Sequence, residues 1–423
     1  MDPVLSVIPV SGDCQEIVAP PEYHARAREK SMIYSLRKPH ELIGEVTIDN
    51  ALTFVRRAHD ISAQPPSQAE SMLILRAVRH HIARHSIAMA VFFLMASIAA
   101  HAQDEKGQNI PLISGGVGFL TNTSGGNTSY NPILSPLIAA PLGSRILVEG
   151  RGYILDVFYP NGQAGYARFH FQGLTYLQAN FIASRHLTVV GGEFLTPFAT
   201  YNERLSPLWI SNLQNGPLIS GIGVMGSASS VGGMVRGSAF SNSHVNADYA
   251  VYYSANSTNP NFSAEHSSGG RGSLYFPNER LEVGASFGRR LQATTANFAG
   301  VHVWWEPAST ALKLRSEYAH APHASGYWIE ADYRLSRFNG GESFIGRIEP
   351  VFRMQQTFRS APDPGDGLPS ADTQETDFGL NYRLPHEVRL ESSYSREFSS
   401  TGDKNIWQTG IVYRFLFPTW RGK

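Results

Sequence analysis

From Arg145 to the end of the chain, alternation between apolar and polar residues at a period of two recurs, and the polar set carries frequent full charges. Period two is the spacing of a β-strand, whose successive side chains point to opposite faces. Leu312, Leu314 and Tyr318 share one face, opposed by Lys313, Arg315 and Glu317. Tyr327, Ile329, Ala331 and Tyr333 oppose Glu330, Asp332 and Arg334. Phe344, Ile348, Phe352 and Met354 oppose Arg347, Glu349 and Arg353. Phe378, Leu380 and Tyr382 oppose Asp377 and Arg383, and Val388, Leu390 and Tyr394 oppose Arg389 and Glu391.

The repetition predicts about sixteen strands (14–18) between Arg145 and Phe415, with no separate core element. A soluble sandwich alternates too, but it turns its apolar faces inward. Tyr318, Tyr333, Tyr253 and Trp305 fall near strand ends, where interfacial aromatic girdles belong. Tight connections such as Leu384-Pro385-His386 and Asn339-Gly340-Gly341 contrast with long polar ones at Ser360 to Asp372 and Asn256 to Gly270. The pattern predicts an all-β, closed, transmembrane antiparallel β-barrel, its apolar side on outer-membrane lipid and its charged side on water. Its expected activity is passive diffusion of small hydrophilic solutes or ions.

Composition agrees with this and excludes other classes. Glycine (39 residues) and aromatics (11%) are abundant, charge is low (17%), and mean hydropathy is −0.20. Net charge is zero, and the 25 basic residues after Ala102 match 25 acidic ones, so nucleic acid is not an expected partner. The sole cysteine is Cys14, which leaves the later region without disulfides or thiolate metal sites. His320-x-x-His323 contains Pro322 and has no third ligand nearby. Ser184 and His186 lack a nucleophile elbow, and Gly221-x-Gly223 precedes no helix. No catalytic residue, cofactor or metal is expected. The rival readings are a barrel with an enzymatic or adhesion role, and a secreted all-β carbohydrate-binding protein.

Export is written into Met72 to Ala102. Arg76, Arg79 and Arg84 precede a run from Ile87 to Ala100 that is apolar except for Ser97, and Ala100-His101-Ala102 ends it. That order is a signal peptide's, and the run is shorter than the ~20 residues a spanning helix needs. Residues 1–71 are expected to be either a misassigned start, with Met72 the true one, or an extension of unknown role. Residues 103–144, rich in Gly, Ser and Pro, read as an irregular lead-in. The barrel is expected over 145–415, with a short tail at 416–423.

Two resemblances follow. Gln408, Gly410, Tyr413 and Phe415 resemble the C-terminal signal read by the outer-membrane barrel assembly machinery, although eight residues follow Phe415. Val190-Gly191-Gly192-Glu193-Phe194-Leu195-Thr196-Pro197-Phe198 resembles the G-x-F-x-x-P-F signature of the phosphate-selective porin (O/P type) group. That resemblance implies sixteen strands, a strand ending here, a long loop opening after it, and a homotrimer. Lysine and arginine clusters would set phosphate selectivity; none is matched residue by residue.

The lumen is expected to be lined by Lys313, Arg315, Glu317, Glu330, Asp332, Arg334, Arg347, Glu349, Arg353, Arg383, Arg389 and Glu391. Near-balanced signs predict weak ion selectivity. The segment after Pro197 mixes charge with bulky apolar groups. It is expected either to fold into the lumen, with Glu203 and Arg204 at a constriction, or to be an ordinary outer or contact loop.

Overall fold

The computed structural model describes residues 111–162, 165–219, 229–254, 266–291, 295–336, 343–361 and 368–418. The signal-like segment and everything before it lie outside these, as do Gly221, Gly223 and Asn339-Gly340-Gly341.

Sixteen strands follow in order: β1 (Leu112–Ser124), β2 (Asn127–Leu142), β3 (Ile146–Pro160), β4 (Tyr166–Ser184), β5 (Leu187–Leu195), β6 (Ser229–Ser241), β7 (Asn246–Ser254) and β8 (Ser267–Phe276). Then come β9 (Leu281–Arg290), β10 (Ala296–Trp305), β11 (Leu312–Ala321), β12 (Ala324–Tyr333), β13 (Ile348–Arg359), β14 (Thr373–Leu384), β15 (Val388–Ser399) and β16 (Lys404–Pro418). Each pairs antiparallel with its sequence neighbours, and β1 pairs with β16 to close the barrel. The closing register runs from Leu112 opposite Pro418 to Ser124 opposite Ile406. Closure leaves no sheet edge along this seam, so the backbone groups there are paired within the chain.

The strand number agrees with the sequence, but its distribution does not. The segment read as an irregular lead-in, 103–144, contains β1 and β2, so the described barrel begins at Leu112 rather than Arg145. Its prolines misled because a proline cannot donate to a ladder. In the structure Pro132 and Pro136 sit where the β2–β3 pairing skips residues. Gly115, at φ 150°, is needed for close approach, since a Cβ there would lie 2.3 Å from the Ser135 carbonyl oxygen. The tail expected at 416–423 is likewise part strand, because β16 continues to Pro418.

Both chain ends of the barrel lie at one rim. The connections at 196–228, 255–266 and 360–372 leave from the opposite rim. Most connections at the terminal rim are short, such as Gly143 to Arg145 and Pro385 to Glu387; the stretch between Tyr333 and Ile348 is longer and includes a 3-10 turn at Ile345–Arg347.

Burial along the strands is inverted relative to a soluble protein. On β11, Arg315 and Glu317 are 5% and 2% exposed, whereas Tyr318 is 43% exposed. On β10, His302 is buried between Val301 and Val303, both exposed. Most apolar residues of β8–β16 therefore face outward and most ionised ones inward, with Phe298, Trp328, Val351, Ile406 and Val412 as buried apolar exceptions. Trp305 ends β10 and Tyr333 ends β12, as the girdle expectation required.

Candidate functional site: the loop inside the barrel

The chain leaves the wall where β5 ends, at Leu195, and turns inward instead of continuing to β6. Its root is anchored by an apolar cluster: Phe194 and Phe198 pack with Ile219, Met234 and Phe298 inside the barrel. A single turn of helix follows, α1 (Tyr201–Arg204). The loop then crosses the lumen and touches the wall on many strands.

Polar groups of the wall meet the loop backbone. Arg271 on β8 donates to the Ala199 carbonyl (2.6 Å), and the Ala199 N–H donates to Ser286 on β9 (2.9 Å). Glu317 on β11 accepts from the Thr200 N–H (2.6 Å). Further along, Arg353 on β13 donates to the Asn215 carbonyl (2.9 Å) and Arg389 on β15 to the Leu208 carbonyl (3.1 Å). Gln408 on β16 donates to the Asn215 side chain (2.8 Å). Each bond satisfies a backbone or side-chain group that would otherwise be stranded away from water.

Apolar groups of the loop need room at the wall, and glycines supply it. A Cβ on Gly116 would lie 2.7 Å from Trp209 Cε3, and one on Gly379 would lie 2.6 Å from Leu213 Cδ2.

The expected lumen residues divide into two groups. Arg315, Glu317, Glu330, Asp332, Glu349, Arg353, Arg389 and Glu391 are buried on the inner face. Most are held in ion pairs: Arg315 with Glu330 and Asp332 (both 3.0 Å), Arg353 with Asp377 (2.9 Å), and Arg389 with Glu391 (2.7 Å). Arg383 is half-buried and reaches Glu349 at 2.6 Å. Lys313 is half-buried on the same face, while Arg334 and Arg347 lie beyond β12 and in the 3-10 turn, not within a strand.

Glu203 and Arg204 are on the inward loop, but they clamp it to the wall. Glu203 pairs with Arg271, and Arg204 pairs with Glu282 on β9 at 2.7 Å. Arg204 also lies over the Trp304 ring, 5.3 Å from its centroid. Burial works against the Arg204 cation, but Glu282 and Glu203 beside it more than offset this and hold its pKa above the ordinary value. Among the described residues, neither borders a cavity that lies beside the loop.

That cavity, of about 90 Å³, lies between the loop and the inner face of β1–β4, with Glu391 of β15 and Gln408 of β16 also at its border. The loop supplies Ser206 to Leu208 and Leu213 to Gly216; the wall supplies Leu120, Asn131, Ile133, Tyr153 and Leu155 among others. The wall here is apolar and aromatic, since Tyr153, Tyr159, Phe169 and Phe171 pack against a buried cluster that includes Leu155, Val157 and Tyr176. Charged residues are sparser on these strands than on the later ones: β1 and β2 carry none, and the inner face of β3 carries Glu149 and Arg151. The amide-rich run Ser211-Asn212-Leu213-Gln214-Asn215 is a sequence signal for the part of the loop that borders the cavity.

Gln408 faces inward on β16, Gly410 lies on the same strand opposite Leu120, and Tyr413 and Phe415 follow on the opposite face. Among the described residues no group of three or more His, Cys, Asp or Glu could hold a metal ion.

No protein-family model matches the chain, and no curated protein matches it. Among solved structures the chain is similar to OccK7 (OpdD) of Pseudomonas aeruginosa at 10% identity, covering 74% of this chain and 100% of that one, with a TM-score of 0.44. It is similar to a loop L8 deletion mutant of OmpT, an outer membrane protein of Vibrio cholerae, at 10% identity over 73% of this chain and 99% of that one (TM-score 0.46). It is also similar to an anion-selective porin from Comamonas acidovorans at 11% identity over 72% of this chain and 98% of that one (TM-score 0.44).

Proposed function

We propose that the chain is a bacterial outer-membrane porin, a passive pore for small hydrophilic solutes narrowed by the loop between β5 and β6. One observation carries this reading: a closed barrel exposes its apolar residues and buries its charged ones. Phe378 is 58% exposed on β14 while its neighbour Asp377 is 1% exposed. A water-soluble fold would leave these apolar groups against water over the whole outer surface. Lipid removes that cost, and the inner charges keep partners and water.

The proposed pore-lining residues are the inward set named above, with Glu203 and Arg204 as clamps of the narrowing loop. Export by the Met72–Ala102 signal, insertion by the barrel assembly machinery through β16, and a homotrimer complete the proposal. The last is supported by the Val190–Phe198 resemblance, whose strand end at Leu195 and following loop have counterparts in this fold. Phosphate selectivity has no comparable support, because the buried arginines of β11, β13 and β15 are engaged by carboxylates.

Heat-modifiable gel migration of the purified protein, with conductance in a planar lipid bilayer, tests the proposal. A chain that stays monodisperse in plain buffer, or one that inserts without conducting, refutes it.

A further inference from the structure

On β7 to β10 the outer face changes character near the rim from which the long connections leave. Tyr253 on β7 stands opposite Ser268 on β8, Ser268 opposite Arg289 on β9, and Arg289 opposite Asn297 on β10. The four form one polar row across four strands. They point away from the lumen: Tyr253 is exposed between buried Tyr252 and Ser254, Arg289 shares the face of exposed Phe287, and Asn297 that of exposed Val301. The next outward residues below the row are Val251, Gly270, Phe287 and Ala299, none of them polar. Arg289 is the ninth of the ten residues of β9. A tilted strand crosses a bilayer in about 9–11 residues, so the row sits at the edge of the apolar band.

Charge in this row is uncompensated. Other outward arginines at the same rim are paired, Arg168 with Asp156 and Arg396 with Asp403, both at 2.8 Å. Among the described residues Arg289 has no such partner, and the side chains of Ser268 and Asn297 make no hydrogen bond. None of the outward residues of β7 to β11 is acidic. Neighbouring strands lie about 5 Å apart, which puts a hydroxyl, a guanidinium and an amide within reach of one small anionic group. A guanidinium fork matches two oxygens of a phosphate at once. His266, whose Nε2 lies 2.5 Å from the Tyr253 hydroxyl, flanks the row where the chain enters β8.

We infer that this row binds the phosphate headgroup of an outer-leaflet lipid, with Arg289 as its principal contact. The row faces the lipid side of the wall rather than the lumen, which favours a lipid over a dissolved anion. The rim with the longer connections is the outer one in membrane barrels, which sets the leaflet. Directly below Ser268, β8 presents only Gly270 and Gly272 between Val251 and Tyr249 on one side and Phe287 and Ala285 on the other. A Cβ on Gly272 would meet nothing within 4 Å. An acyl chain hanging from a headgroup at Arg289 has room to lie there. This inference rests on the outer-membrane reading and gives the barrel a specific lipid partner at a fixed place on its wall.

The test uses the full barrel purified in a neutral detergent, with native mass spectrometry reading lipid bound per barrel. Dioleoyl phosphatidic acid is the probe. Dioleoylglycerol, with the same chains and no phosphate, and inorganic phosphate are the controls. Saturable binding of phosphatidic acid is expected, with none of dioleoylglycerol and no displacement by inorganic phosphate at equal concentration. Arg289→Gln should weaken binding about tenfold or more, the effect of losing hydrogen bonds to a charged group. Arg289→Lys should restore part of the loss, since it returns the charge without the fork. Gly272→Leu fills the trough and should weaken the lipid without touching the headgroup row. Arg396→Gln removes a cation already engaged by Asp403 and should change nothing. Arg289 is exposed, and heat-modifiable migration checks that each variant is folded. Phosphatidic acid that binds no better than dioleoylglycerol, is displaced by inorganic phosphate, is unmoved by Arg289→Gln, or is weakened equally by Arg396→Gln overturns the inference. A barrel that binds the lipid without conducting overturns the pore reading alone; one that conducts without binding it overturns this inference alone.

Discussion

Glu317 on the barrel wall holds Thr200 at the root of the inward loop with both of that residue's donors. One carboxylate oxygen accepts from the Thr200 N–H at 2.6 Å and from its hydroxyl at 2.7 Å, and the Tyr201 N–H donates to the same atom. The other oxygen receives the Trp328 indole N–H at 3.3 Å. Glu317 thus gathers three donors of the loop root, next to the Ala199 bonds to Arg271 and Ser286.

Replacing Glu317 with alanine strands these donors in a buried setting, at a cost of about 1–3 kcal/mol for each unmade bond. The loop root should detach while the strands remain paired. Single-channel recordings should show higher conductance and more open-state noise, with heat-modifiable migration retained. A variant with the parent's conductance and noise shows that Glu317 does not set the aperture.

Deleting Asn202 to Trp209 removes three of the four residues of α1, both clamp residues and the Trp209 contact at Gly116. Conductance should rise further than in Glu317→Ala, since material is lost from the lumen rather than loosened. Conductance equal to the parent's would mean that the loop does not narrow the path.

Ion selectivity should be weak in the parent and should appear when one pair is broken. Arg389 neutralises Glu391 at 2.7 Å, and Glu391 borders the cavity. Arg389→Met leaves that carboxylate uncompensated. In a potassium chloride gradient the parent's reversal potential should lie near zero, and the variant's should shift toward cation preference. A strong preference in the parent contradicts a pore lining of balanced charge.

The outer face can be tested at Val301, which is 51% exposed on β10. Val301→Arg should cost roughly 2–4 kcal/mol in a bilayer if that position lies near its midplane. Urea titration in lipid vesicles reads the loss. Unchanged stability there would show that Val301 does not touch lipid.

Truncation after Phe415 removes Leu416, Phe417 and Pro418, which pair with Ser114, Ile113 and Leu112 at the closing seam. The shortened barrel should lose its heat-modifiable form at a lower temperature than the parent. An unchanged transition would mean that β16 effectively ends at Phe415.

What the chain's linear order determined was the class of architecture and which side of each later strand faces which medium. Period-two alternation is local, so Arg315 and Glu317 against Leu314 and Tyr318 can be assigned from neighbours alone. Repetition pointed to about sixteen strands over 145–415, where the structure places fourteen, β3 to β16; the departure of the chain from the wall after Leu195 followed from a short signature. Only the tertiary structure made strands of Leu112–Ser124 and Asn127–Leu142. Their Gly and Pro residues disfavour an isolated strand, and it is pairing with β16 on one side and β3 on the other that overrides them. Tertiary structure alone also placed the loop. Its anchors, from Arg271 to Gln408, are spread over strands far apart in sequence, and no local pattern records which of them a flexible segment will meet.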